Sequence, residues 1–127
     1  GCLSVKREFG LFIKDILEHI EKTESFIADM SYEDFIRDTK TNFAVVRCVE
    51  IVGEAAKNIP GSIREKYKQV PWKYLTGMRD KIAHFYFGID LKRVWEVATV
   101  KLPPLKPNIQ QILADIASGE TPHAAEK

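Results

Sequence analysis

The chain has 127 residues, 45% hydrophobic and 29% charged, with a formal net charge of +1. That is one domain's worth of sequence with an ordinary globular composition, which excludes intrinsic disorder and a second full domain. No apolar run approaches the length of a membrane span, and the opening Gly1-Cys2-Leu3-Ser4-Val5-Lys6 carries neither a hydrophobic signal core nor a myristoylation pattern.

The periodicity predicts a long amphipathic helix over about residues 7–30. Phe9, Phe12, Ile13, Ile16, Leu17, Ile20 and Ile27 recur at three- and four-residue steps, and Lys14, Asp15, Glu18, Glu21 and Lys22 fill the other face. Ser31 as N-cap, with Asp34 at N3, starts a short second helix through Phe35 and Ile36. A third helix is expected over about residues 41–59, stopped by Pro60-Gly61. Its apolar arc (Val45, Cys48, Val49, Val52, Ala55, Ala56 and Ile59, with Phe43, Val46 and Ile51) is wide enough to touch more than one neighbour. Gly53, at the edge of that arc, points to the close approach of another helix. Arg47, Glu50, Glu54 and Lys57 form a charged stripe that fits either a solvated ion-pair face or one edge of a functional groove. Cys48 suits a buried thiol, no disulfide with Cys2 is expected, and a reducing cytoplasm fits this cysteine usage.

Ser62 and Glu65 read as a capping box for a short turn over 62–67. Pro71 is expected to open the next helix at its first position, with Trp72, Leu75, Met78, Ile82 and Phe85 as its apolar side and a stop near Phe87-Gly88. Asp90 caps the last long segment, which Pro103-Pro104 should break or kink into two helices. No strand pattern occurs. The expected fold is therefore all-α, one domain over residues 7–118 with flexible termini at 1–6 and 119–127. From Arg64 to Lys101 the chain carries nine basic and four acidic residues, against an acidic surplus elsewhere. This local positive field fits a phosphate-bearing partner, or equally a set of scattered solvated lysines.

Of the three histidines, His123 lies in the tail and His19 beside apolar neighbours, where a structural role fits. His84 sits near a helix end in Gly77-Met78-Arg79-Asp80-Lys81-Ile82-Ala83-His84-Phe85-Tyr86-Phe87-Gly88. At about 100° per residue, Gly77, Asp80 and His84 share one stripe, and Arg79, Ala83 and Tyr86 another. Asp80 can then hold one imidazole nitrogen of His84 and leave the other for proton transfer. Gly77 removes bulk from that stripe and leaves room for a ligand. Arg79 and His84 diverge by about 140° on an ideal helix, so acting on one atom requires either a distorted helix end or a second copy of the chain. The plainer alternative is a polar C-terminal histidine favoured by the helix dipole, with Arg79 and Asp80 as surface charges. No further His or Cys stands at ligand spacing, so neither a catalytic metal nor a cofactor is expected.

The Arg79-Asp80-x-x-x-His84-x-Tyr86 pattern resembles the Arg-polar-x-x-x-His-x-Tyr signature of the HepT-like ribonuclease toxins of the HEPN superfamily. The resemblance extends over roughly Arg7 to Ile116. It takes in the Met30-to-Phe35 turn, the Glu50-to-Lys57 helix, Pro71-Trp72, Phe87-Gly88-Ile89-Asp90 and Val94-Trp95-Glu96. It implies a HEPN-type up-down helical bundle that forms a homodimer, with the two signatures facing each other. The implied activity is metal-independent endoribonuclease cleavage by 2′-hydroxyl attack, with His84 moving protons, Arg79 stabilising phosphoryl charge and Asp80 orienting His84. Lys81 and Gly77 are candidate RNA contacts, though a solvated lysine is as natural a reading of Lys81. The implied partner is a small nucleotidyltransferase-type antitoxin that attaches AMP to the signature tyrosine, here Tyr86. That residue otherwise reads as a half-buried aromatic between Phe85 and Phe87. The same residues also fit a non-catalytic nucleotide-binding or docking subunit, because Arg and His bind phosphate without chemistry.

Overall fold

The computed structural model describes the backbone of residues 2–88 and 90–119 and the side chains of residues 9–78, 80, 81 and 90–119. Among these residues the elements are α1 Cys2–Phe26, α2 Tyr32–Arg37, α3 Thr39–Lys57, α4 Gly61–Lys66, α5 Trp72–Gly88, α6 Leu91–Glu96, a π-helical turn Val97–Lys101, a 3₁₀ turn Pro103–Leu105 and α7 Lys106–Ser118. There is no strand among them, so the chain is the all-α bundle its periodicity predicts.

The apolar stripe of α1 is buried at Phe9, Ile13, Ile16 and Ile20, with Phe12, Leu17 and Ile27 packed at its margins. The helix ends at Phe26, earlier than the pattern suggests. The chain turns through Asp29 at φ 62, a left-handed conformation that a short polar side chain tolerates. Ile27 still packs on the core after the helix has ended, which is why the period runs on. The capping box at Ser31 forms as predicted: its hydroxyl accepts from the Asp34 N–H at 3.1 Å, and the Asp34 carboxylate accepts from the Ser31 N–H at 3.2 Å. Asp38, which the pattern does not single out, caps α3 by accepting from the Thr41 N–H at 3.0 Å, so α3 begins before the expected start.

Helix α3 lies at the centre, packed against α1 and α5 and also touching α2 and α6. Val45, Val46, Cys48, Val49, Val52, Gly53, Ala55 and Ala56 are all buried, as its wide apolar arc requires. Phe43 departs from the expectation and is 53% exposed. Cys48 is a free thiol, pushed above the ordinary thiol range by burial.

Three further expectations need correction. Pro71 does not occupy the first position of α5: the helix begins at Trp72, and the Pro71 carbonyl ahead of it accepts from the Leu75 N–H at 3.0 Å. Ser62 does not cap α4. That helix starts at Gly61 after Pro60, whose carbonyl accepts from the Ile63 and Arg64 N–H groups at 3.1 Å each. Ser62 therefore falls inside the first turn, and its buried hydroxyl has no hydrogen-bond partner among the described residues. The interruption before α7 also begins ahead of the double proline. The π turn widens the backbone spiral, with the Leu102 N–H reaching the Val97 carbonyl at 2.9 Å, and Pro103–Leu105 then tighten into a 3₁₀ turn.

Long-range polar ties close the bundle. The Lys106 ammonium sits 2.9 Å from Glu24 and 3.7 Å from Glu21, clipping α7 to α1. The Tyr67 hydroxyl donates to Asp115 at 2.5 Å, joining the end of α4 to α7. No helix of the described residues is long and apolar enough to cross a membrane.

Phe35 is fully buried and packs its ring 5.1 Å from that of Trp95, linking α2 to α6. Phe35→Ala should cost about 3–5 kcal/mol, read as a lowered urea midpoint with an unchanged slope. A second expectation concerns acid. The Tyr67 hydroxyl, then Gln111, hold the Asp115 carboxyl below its ordinary value of 3.8, and the Thr41 backbone N–H does the same for Asp38. A carboxyl depressed in the folded state contributes stability that is complete above the ordinary carboxylate range and is lost as pH falls through the folded value. The melting temperature should therefore drop below about pH 4, and Asp115→Asn should flatten that drop; an identical acid profile for the variant would refute the assignment.

Candidate functional site

Helix α5 is anchored at its start by a chain of directional bonds. The Trp72 indole N–H donates to the Tyr67 carbonyl at 3.0 Å. Arg64 of α4 reaches back to the end of α3, donating to the carbonyls of Ala56 at 2.9 Å, Ile59 at 3.0 Å and Lys57 at 3.3 Å. The last carbonyls of a helix lack their full set of partners within it; Ala56 also accepts from the Ile59 N–H at 3.2 Å, and the guanidinium adds donors to all three carbonyls. They also tie α3 and the turn before α5 to one short helix.

Between the end of α3 and the middle of α5 runs an open groove of about 600 Å³, lined by Lys57, Lys73, Tyr74, Thr76, Gly77, Asp80 and Lys81. The charged stripe of α3 is divided accordingly. Arg47 pairs along the helix with Glu50 at 3.7 Å, whereas Lys57 crosses to α5 and meets Asp80 at 3.7 Å. Both partners of the crossing pair are largely exposed, so it contributes about 0–1 kcal/mol and yields easily. Lys73 and Lys81 have no carboxylate partner among the described residues. Burial pushes the Tyr74 phenol above its ordinary value of 10.0, with Glu96 adding to the effect, so it stays neutral at pH 7.

The positive field counted from the sequence is thus unevenly spent. Arg64 is engaged with backbone carbonyls, Lys68 lies 3.5 Å from Glu65, and Lys66 sits over the Tyr67 ring at 5.6 Å. What faces the groove is Lys57, Lys73 and Lys81 against the single carboxylate of Asp80. A Cβ placed on Gly77 would meet nothing within 4 Å among the described residues, so their packing does not demand glycine there.

Of the sequence-predicted residues, Gly77, Asp80 and Lys81 come together at this groove. Arg79, His84 and Tyr86 lie on the same helix, but their side chains fall outside the described residues. The α-helix is continuous from Trp72 to Gly88, so positions 80 and 84 are one turn apart and positions 79 and 84 keep their angular divergence. The partner that the structure gives Asp80 is Lys57, a cross-helix contact that no local pattern announces.

Among the described residues, one group has donor atoms close enough for a cation: Asp15, Glu18 and His19 of α1, all within 4.8 Å of one another. The i, i+3, i+4 spacing is a signal that was available in the sequence. His19 Nδ1 donates to the Asp15 carbonyl at 2.7 Å. None of the three lines the lysine groove.

The ribonuclease HepT-like family matches residues 16–112. A protein of Methanocaldococcus jannaschii named "Putative RNase MJ1216" is 47% identical over 111 residues, 87% of this chain and 92% of the relative. A protein of Thermococcus cleftensis named "Probable ribonuclease HepT" is 40% identical over 108 residues, 85% of this chain and 98% of the relative. No solved structure gives a significant match. With the match running from the middle of α1 into α7, and taking in the whole of α5 and its groove, the chain belongs to the ribonuclease HepT-like family.

Proposed function

We propose that the chain is a metal-independent endoribonuclease and the toxin of a toxin–antitoxin pair, acting in the cytoplasm as a homodimer of one domain over residues 7–118. The observation that carries this reading is that the Arg79-Asp80-x-x-x-His84-x-Tyr86 signature lies on α5, the helix whose preceding turns line the lysine groove.

In this reading His84 takes the proton of an RNA 2′-hydroxyl. The oxygen attacks the adjacent phosphorus, the bond to the 5′-oxygen of the next nucleotide breaks, and that oxygen receives a proton. The products are a 2′,3′-cyclic phosphate and a free 5′-hydroxyl. Arg79 stabilises the charge on the phosphoryl oxygens with its forked donors. Asp80 orients the imidazole, and Lys81 and Gly77 border the bound strand. The unbroken helix through Gly88 supports a shared site, because two side chains diverging by about 140° reach one phosphate most simply when a second protomer supplies one of them. Arg79 and His84 together provide charge stabilisation and proton transfer, so the chemistry needs no metal.

Tyr86 is the regulatory residue of this reading. A nucleotidyltransferase-type antitoxin would transfer AMP from ATP to its hydroxyl, releasing pyrophosphate and the phenol proton, and so place a bulky anion on the Arg79 stripe and exclude RNA by size and charge.

His84→Ala and Arg79→Ala should each lower RNA cleavage in EDTA by a factor of about 10²–10⁴, with circular dichroism unchanged. Undiminished cutting by folded His84→Ala would refute the mechanism, and cutting that stops in EDTA and returns with a divalent ion would refute the metal-free claim. With its cognate nucleotidyltransferase and ATP, the wild type should gain the mass of an AMP group at Tyr86 and fall silent. Tyr86→Phe should escape both effects. Silencing of both proteins without an adduct would point to occlusion by a docked partner instead.

A further inference from the structure

We infer that the groove between α3 and α5 is a subsite for the sugar–phosphate backbone of single-stranded RNA, with Lys73 and Lys81 on one wall and Lys57 on the other. The inference rests on the ribonuclease reading and extends it from the signature to the path of the strand.

Positions 73, 77 and 81 stand at i, i+4 and i+8 on α5, one continuous face about 12 Å long. Position 84 follows less than a turn beyond Lys81, so a strand laid on this face runs directly into the signature. At the middle of the face stands Gly77, where an added Cβ would find open space. A helix interior gains from alanine over glycine, and no neighbour among the described residues forbids it. A bare backbone there lets a strand lie close to the helix between the two lysines.

The charges fit a polyanion. Among the described residues Lys73 and Lys81 have no carboxylate partner, and the ion pair of Lys57 is its exposed contact with Asp80 at 3.7 Å. An incoming phosphate can replace that contact, since an exposed ion pair is weakly held. Lysine is a point-charge donor that grips phosphate without reading the base. Tyr74 adds an aromatic wall on which a base can stack whatever its identity. A groove of about 600 Å³ is of small-ligand size, whereas a double-stranded RNA module spans about 16 base pairs. A base that stacks on Tyr74 must be unpaired, which favours a single strand over a duplex.

The test uses a short, labelled 2′-O-methyl oligonucleotide, which cannot be cut because its nucleophile is blocked. Its affinity is followed by fluorescence anisotropy as salt is raised. Each phosphate contact in a single strand contributes about 0.7 to the slope of log affinity against log salt. Lys73→Ala with Lys81→Ala should reduce the slope by about 1.4, so that between about 50 and 200 mM salt the variant's affinity falls about sevenfold less than that of the wild type. Arginine at both positions should restore the slope, and Lys68→Ala, remote from the groove and paired with Glu65, should leave it unchanged. An unchanged slope in the double alanine variant overturns the subsite, and a duplex of the same sequence bound as tightly with the same lysine dependence overturns its assignment to a single strand. Cleavage is scored separately on unmodified RNA. A chain that cuts RNA while its double variant keeps the slope refutes only the subsite. One that binds through these lysines and never cuts refutes only the ribonuclease reading.

Discussion

The bundle depends on one constraint: α3 must be covered on more than one side. Its buried residues span an arc too wide for a single neighbour, and α1 and α5 pack against it together with α2 and α6. Small residues, Gly53, Ala55 and Ala56, allow that crowding late in the helix. The position of α5, and with it the family signature, is set by how α3 is buried. The groove lies where α3 runs out: Lys57 is its last residue and faces the middle of α5, which continues to Gly88.

The short helix α4 joins the end of one wall to the start of the other. Its Arg64 satisfies three carbonyls at the end of α3, and the turn behind it receives the Trp72 indole and sends the Tyr67 hydroxyl to α7. A cation used in this way is structural, although in a charge count it is indistinguishable from one facing solvent. The positive stretch from Arg64 to Lys101 therefore includes cations already engaged with carbonyls or carboxylates, such as Arg64 and Lys68, and cations that line the groove, Lys73 and Lys81.

This division explains what was legible in the sequence. Features carried by neighbours in the chain were readable: the α1 stripe, the Ser31 capping box, the Asp90 cap and the stop at Gly88 all rest on spacings of a few residues. Local cues that compete were misread. Ser62 and Glu65 have capping-box spacing, but Pro60 begins the helix first and takes the serine out of the cap position. Pro103-Pro104 announces a break without revealing that the π turn precedes it. Phe43 carries the right residue type at the edge of the arc and still faces outward. The Lys57–Asp80 contact joins residues far apart in sequence, and only the packing of α3 on α5 brings them together. The family was readable by resemblance, on residues that follow one another on a single helix.

Gly77 carries a consequence that reaches beyond this molecule. A glycine inside a helix is less stable than alanine by about 0.5–1 kcal/mol, and no contact among the described residues offsets the difference, since a methyl group would meet open space there. If a strand occupies the groove, the position is under two opposed pressures, one from foldability toward alanine and one from the strand toward glycine. In a lineage that stopped using the groove, the second pressure would vanish and drift to alanine would follow with a gain in stability. The residue at this one site then serves as a historical marker, separating relatives that still use the groove from those that keep only the scaffold.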